Sequence, residues 1–137
     1  MANYYGKART NYVKIKDFAG FRQAIEPFDV ELITDSEGKC GLLSKADDGW
    51  PTDAYDWETD TGDDIDFNLG AVVCPFMEDD QILVAMEVGS EKLAFLAGVA
   101  VAYNAQGGKA TINLNDIYSS AAIQFGVSFE SINKAEG

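Results

Sequence analysis

The sequence predicts one α+β domain, spanning residues 1–137, with a largely antiparallel sheet of five to seven strands and about three helices. The chain has the length of a typical single domain, and its 47% hydrophobic residues are enough to form a buried core. Short stretches of alternating apolar and polar residues are separated by turn residues, and three other stretches have helical spacing. No internal repeat and no linker divides the chain.

The first elements follow from alternation, capping and turn residues. Residues 12–16 alternate between apolar and basic side chains, which predicts a half-buried strand. Asp17 is a suitable N-cap for a helix, which should end near Pro27. Residues 29–34 and 39–43 then predict a hairpin closed by a glycine-containing turn.

Asparagines are expected to cap the two remaining helices. Asn68 precedes a short apolar stretch that Pro75 should truncate or kink. Asn113 or Asn115 precedes the last helix, and Gly126 is a suitable residue for its C-terminal end. The helices are expected on one side of the sheet.

The strands of the second half are more apolar than those of the first. Residues 81–88 and 93–104 are apolar on both faces, which predicts central positions in the sheet. A turn then leads into a further strand over residues 109–113. Between the two halves, residues 44–53 are rich in turn residues and predict a loop anchored by a tryptophan.

The acidic residues are concentrated in one part of the chain. Residues 46–91 contain no lysine or arginine, whereas residues 1–45 contain seven basic and six acidic groups and residues 92–137 contain three of each. The net charge of −13 therefore arises from the middle region, and such a concentrated charge favours partners of opposite sign. The fourteen acids are Asp47, Asp48, Asp53, Asp56, Glu58, Asp60, Asp63, Asp64, Asp66, Glu78, Asp79, Asp80, Glu87 and Glu91.

A second hairpin is predicted over residues 55–67, closed by a three-residue turn that contains glycine. In that register Glu58 lies opposite Asp64 and Asp56 lies opposite Asp66. Like charges directly across a strand pair destabilise it, so the arrangement suggests a function. We call residues 46–67, which comprise this hairpin and the preceding loop, the acidic segment.

Three interpretations of the acidic segment are open. It could be a solvated surface that keeps the protein soluble. Its charge could be offset by Lys7, Arg9, Lys14 or Lys16 of the basic N-terminal part. It could instead receive a basic surface from another protein, with an exposed Trp50 as a cation–π anchor. The partner-binding candidates are Asp47, Asp48, Trp50, Asp53, Asp56, Glu58, Asp60, Asp63, Asp64 and Asp66.

The spacing of carboxylates along a strand favours a particular partner. Alternate residues of a strand are about 6.6 Å apart, twice the rise per residue. Phosphates of one nucleic-acid strand are separated by about 3.4 Å of helix axis, so paired rows of carboxylates approach a comparable charge density. The segment could therefore mimic nucleic acid and occupy the basic groove of a protein that binds DNA or RNA. The chain itself should not bind nucleic acid.

Several functional classes are disfavoured. The chain has no histidine, which excludes histidine-assisted nucleophiles, histidine metal ligands and a histidine general base. A calcium-loop interpretation of residues 56–67 fails on the position of its glycine and on its last residue, Phe67. Carboxylates are too numerous for their spacing to indicate a glycosidase. We therefore expect a protein that is not an enzyme and has no cofactor and no metal.

Cysteine usage and hydropathy bear on the compartment. Cys40 and Cys74 lack metal-ligand spacing and are expected to be reduced thiols, although a disulfide between them is an alternative. The N-terminus has no apolar run typical of a signal peptide. The longest apolar stretch, 93–103, is too short to cross a membrane. A soluble cytoplasmic protein is the expectation.

Parts of the chain resemble known groups of proteins. Residues 3–12, 86–93, 98–102 and 115–118 are similar to a group of small acidic proteins, without an assigned activity, from bacteria and their mobile elements. In size, charge and lack of catalytic residues the chain also resembles anti-defence proteins of phages and plasmids. These include anti-CRISPR and antirestriction inhibitors, several of which mimic DNA. The resemblance implies an inhibitor of a basic nucleic-acid-binding protein.

Two alternative functions are kept. The first is a ligand-binding or enzymatic domain with a deep pocket between the sheet and the last helix, lined by Tyr103, Tyr118 and a carboxylate whose pKa is raised. The second is a homodimeric module with a solvated acidic face, which would associate through the strands at 82–88 or 93–104.

Overall fold

The computed structural model describes residues 4–51, 53–55, 64–66, 68–91 and 94–136, and for 53–55 and 64–66 it describes the backbone alone. Eight strands and three α-helices follow one another along the chain, with short 3-10 turns after the second and third helices. In order they are β1 Tyr5–Thr10, α1 Phe18–Ile25, β2 Val30–Thr34, β3 Cys40–Ser44, β4 Asp53–Tyr55, β5 Asp64–Asp66, α2 Leu69–Val73, β6 Ile82–Glu91, β7 Phe95–Asn104, β8 Lys109–Asn113 and α3 Asp116–Phe125.

The strands form one large sheet and one small ribbon. Six strands are hydrogen-bonded in the order β2-β3-β1-β6-β7-β8, and every neighbouring pair is antiparallel. Strands β4 and β5 pair separately as the ribbon of the acidic segment. This confirms the predicted α+β class, and it confirms the central positions of β6 and β7.

One face of the large sheet carries the core. Directly opposed residues of paired strands share a face, which places Thr10, Leu42, Leu83 and Ala85 together. All four are buried, and the buried side chains of α1 and α2 pack with them in one hydrophobic cluster. We call this the covered face of the sheet, and the opposite one the bare face.

The first helix forms as predicted. The Asp17 carboxylate accepts a 3.0 Å hydrogen bond from the backbone N–H of Gly20 and so caps α1. Phe21 and Ile25 are buried against the sheet, and the helix ends just before Pro27. No helix of the described residues is long and apolar enough to cross a membrane.

The N-terminal strand differs from the prediction. The strand β1 lies at Tyr5–Thr10, whereas the predicted stretch 12–16 makes only single bridges, from Val13 to Cys40 and from Ile15 to Met77. The predicted alternation is nevertheless present, because Val13 is buried and the two lysines of the stretch are exposed. After Thr10 the chain leaves the paired strands on either side of β1, since it must lead into α1.

The C-terminal part extends the sheet to its edge. Strand β8 pairs with β7 on one side only, and all five of its residues are exposed. At its end, the outward backbone N–H of Asn113 donates a 2.8 Å hydrogen bond to the carboxylate of Asp116. Helix α3 has no buried residue, and it ends at Gly126 in the left-handed conformation that the sequence predicts for a C-terminal cap.

Candidate functional site

The acidic segment contains a two-stranded ribbon, but its register differs from the predicted one. Asp66 lies opposite Asp53, not opposite Asp56 as predicted, and Asp64 lies opposite Tyr55 instead of a glutamate. The predicted register was therefore wrong by three residues. The predicted turn, at residues 60–62, lies outside the described residues, and an odd shift exchanges the faces on which side chains meet.

The observed register also pairs two acidic residues, although they are not a predicted pair. The backbone pairing places Asp53 and Asp66 at directly opposed positions, where like charges destabilise a strand pair. No basic residue lies on either strand. Four predicted partner-binding residues, Asp56, Glu58, Asp60 and Asp63, lie outside the described residues.

The loop before the ribbon presents two further aspartates. Asp47 and Asp48 are exposed, and the loop is fixed to β1 because the N–H of Gly6 donates a 2.7 Å hydrogen bond to the carbonyl of Asp47. The Lys7 ammonium lies 3.9 Å from the Asp47 carboxylate, and both side chains are more than 80% exposed. Such an exposed pair contributes little, about 0–1 kcal/mol.

Internal neutralisation is limited in the described part of the chain. Lys16 pairs with Asp79 at 3.5 Å, which leaves it outside the acidic segment. The Arg9 guanidinium lies over the ring of Tyr12, 5.7 Å from its centre. Among the side chains that the structure describes, Asp47 is thus the member of the acidic segment that has a basic partner.

Glu87 ties the loop to the sheet. Its carboxylate accepts a 2.7 Å hydrogen bond from the backbone N–H of Trp50 and a 3.2 Å hydrogen bond from the hydroxyl of Tyr4. Burial, and then the neighbouring carboxylate of Glu87, raise the pKa of Tyr4. Trp50 is half-buried and packs against the hydrophobic core, so the loop is anchored by this residue as predicted.

A cleft adjoins the acidic segment on the covered face. It has a volume of about 680 Å³, and its walls include Trp50 and Asn68, which bracket the ribbon in sequence. Its remaining polar lining residues among those described are Glu87, Tyr103 and Lys109. The volume is typical of ligand pockets, but Glu87 is the sole carboxylate of the described lining and already accepts two hydrogen bonds. The cleft therefore lacks the pair of groups that acid–base catalysis would need among its described residues, and it is better suited to contact with a partner.

The cleft corresponds only in part to the pocket expected for a ligand-binding domain. Tyr103 lines it, and burial raises the pKa of that phenol. Tyr118, the other expected lining residue, instead accepts a hydrogen bond from the N–H of Ala135. The sequence interpretation missed Glu87 and Lys109 as cleft residues. A single charged residue inside the apolar strand β6 was the available signal for Glu87.

The two cysteines are separate thiols. Cys40 and Cys74 are both free and buried, as expected for reduced cysteines. Burial raises the pKa of each thiol, and the Asp35 carboxylate adds to the effect at Cys40. Both are therefore poor nucleophiles at neutral pH.

Comparison of the chain with protein-family models, curated proteins and solved structures finds no significant match. Function is accordingly inferred from the charges, contacts and surfaces of the chain itself.

Proposed function

We propose that the protein is a non-enzymatic inhibitor or adaptor that binds a basic nucleic-acid-binding protein through its acidic segment. The observation that carries the proposal is the run of fourteen acids without one lysine or arginine between residues 46 and 91. The ribbon, the loop before it and the cleft beside it supply the contact surface. By the sign of its charge the protein would repel nucleic acid itself.

The opposed pair of Asp53 and Asp66 supports an external partner. Like charges at directly opposed positions of a strand pair cost stability, and a lysine or arginine from a partner would relieve that cost on binding. The arrangement of the binding site thus lowers the stability of the fold, as is usual for functional surfaces. A solvated surface would not need opposed acids.

The proposed mechanism is competition for a phosphate-binding groove. A groove lined by lysines and arginines binds DNA or RNA chiefly through charge, with release of counterions. The carboxylates of the acidic segment would occupy the same groove and exclude the nucleic acid. Restriction and CRISPR effector complexes contain such grooves, so anti-defence inhibition is the form of this function that we propose.

A pull-down with matched charge variants tests the proposal. The bait is the full chain, and the prey is a nuclease-treated bacterial lysate applied at low salt. We expect the wild-type chain to retain nucleic-acid-binding proteins that are released steeply as salt rises, because the contact is electrostatic. The ribbon variant replaces Asp53, Asp56, Asp64 and Asp66 with Asn and should lose these proteins.

The control variant removes the same amount of charge elsewhere. It replaces the exposed acids Glu26, Asp29, Glu31 and Glu37 with the corresponding amides, so both variants change the net charge equally. We expect the control to retain the captured proteins. Retention by the ribbon variant, or equal loss in both variants, would exclude a specific role for the acidic segment.

A further inference from the structure

The bare face of the large sheet is apolar and exposed. Paired residues of β1, β6, β7 and β8 place seven large hydrophobic side chains on this face. Each is 50–66% exposed, which is unusual for so many large side chains on one surface. They are Tyr5, Ile82, Met86, Val88, Leu96, Ile112 and Leu114.

The surface shape of the bare face is self-complementary. Along its middle runs β7, whose residues on this face include Gly98, Ala100 and Ala102. Large side chains stand on both sides of this row, with Met86 on β6 and Ile112 on β8 both beside Ala100. The groove at Ala100 and Ala102 therefore lies between two ridges, and Leu96 of β7 together with Leu114 over Gly98 closes one end of it. A two-fold axis can seat a ridge of one copy in the groove of another.

The charge of the face favours another copy of the chain over a basic partner. The residues that β6, β7 and β8 present on it are uncharged, and β1 adds the basic residues Lys7 and Arg9 at its side of the face. The acidic residues Glu87 and Glu91 of β6 belong to the covered face. These four strands thus present no carboxylate on the bare face, which limits the repulsion there between two molecules that each carry a net charge of −13.

The area of the face matches what a dimer needs. If a large side chain exposes about 200 Å² when free, the seven side chains together present about 800 Å². A specific interface buries about 800 Å² on each partner. A sheet also requires a covering layer on each apolar face, and the helices supply one on the covered face alone.

We propose that a second copy of the chain covers the bare face, so that two sheets pack face to face in a two-fold dimer. The sheets would lie about 10 Å apart, at the small angle that is usual for aligned sheet packing. The proposed dimer does not depend on the proposed function, because its contact is formed by the bare face; Asp47 of the acidic segment borders that face beside Lys7.

Light scattering during gel filtration tests the dimer on the full chain. We expect the wild-type protein to elute with twice its 14.8 kDa mass. Ile112→Glu places a carboxylate in the contact, and Ala100→Phe fills the groove without adding charge; both should give the monomer mass. Ala100→Phe also distinguishes a specific contact from non-specific hydrophobic association, because a larger apolar group would strengthen the latter.

Ile123→Glu is the matched control. It makes the same substitution at an exposed isoleucine of α3, outside the bare face, and should leave the dimer intact. Circular dichroism establishes that each variant is folded. A monomeric wild-type chain, a dimer that survives Ile112→Glu, stronger association of Ala100→Phe, or dimer loss in Ile123→Glu would overturn the proposal.

Discussion

The carboxylate of Glu87 accepts a 2.7 Å hydrogen bond from the backbone N–H of Trp50, which joins the middle of a sheet strand to the start of the acidic segment. Gly49, just before the tryptophan, has a φ of 98° and is buried beside the carboxylate. A β-carbon at that position would collide with Glu87. The contact thus requires a glycine for two reasons, conformation and space.

We expect Gly49→Ala to lower the free energy of unfolding by about 2 kcal/mol or more, because it adds backbone strain and displaces Glu87. Gly38→Ala is the matched control, since Gly38 also has a positive φ but has no atom within 4 Å of an added β-carbon. The control should cost only the strain, about 1 kcal/mol. Urea unfolding measures both, and equal losses would contradict a tight contact at Glu87.

Glu87→Ala should destabilise the protein by about 1–3 kcal/mol, because the Trp50 N–H and the Tyr4 hydroxyl both lose their acceptor. Glu31→Ala removes an exposed glutamate and should change stability by less than about 0.5 kcal/mol. Thermal unfolding compares the two. A similar midpoint for both variants would show that the hydrogen bonds contribute nothing net.

Asn68→Ala should lower stability by about 1 kcal/mol, because the Asn68 side chain accepts the 3.2 Å hydrogen bond from Ala71 that caps α2. Asn115→Ala makes the same change at the start of α3, where no side-chain cap bond exists, and should be nearly neutral. Denaturant midpoints distinguish them. An equal effect at both positions would argue against capping as the cause.

The free energy of unfolding should fall as the pH rises above about 8.5, the ordinary pKa of a cysteine. Burial raises the pKa of Cys40 and Cys74 in the folded protein, so the unfolded chain loses its thiol protons first. The stability that the protonated thiols contribute is therefore fully present below the pKa of a cysteine in the unfolded chain, and it is lost as the pH rises above that value. Urea unfolding at neutral and at alkaline pH measures the slope.

The double variant Cys40→Ala, Cys74→Ala serves as the control for this pH dependence. It should show a flatter decline in stability at pH values below those at which the tyrosines titrate. An unchanged decline would assign the effect to other groups.

Local signals in the sequence were sufficient for much of the fold. The helix ends are marked by residues that act on their near neighbours. Two are side-chain N-caps, Asp17 and Asn68, and one is the left-handed glycine Gly126. The hairpin of β2 and β3 was likewise evident from its alternation and from Gly38. Such features depend on neighbours in sequence and need no knowledge of the tertiary structure.

Features that depend on distant parts of the chain were not predicted. Strand β1 places small residues, Gly6 and Ala8, on the covered face, so it lacks the large apolar side chains that usually mark a strand. The register of the ribbon was predicted from an assumed three-residue turn, and the observed pairing of β4 with β5 is shifted from it by three residues. Apolar residues on both faces of β6 and β7 indicated central strands, but not that one face would remain exposed.

The hydrogen bond from Asn113 to Asp116 has a consequence for how the molecule can associate. It occupies the backbone N–H of Asn113, which points away from β7 at the free edge of β8. Lys109 places a positive charge at the other end of that strand. Lateral addition of further strands is thereby discouraged. A molecule that stacks through one face and protects its β8 edge favours a closed pair over growth from that edge.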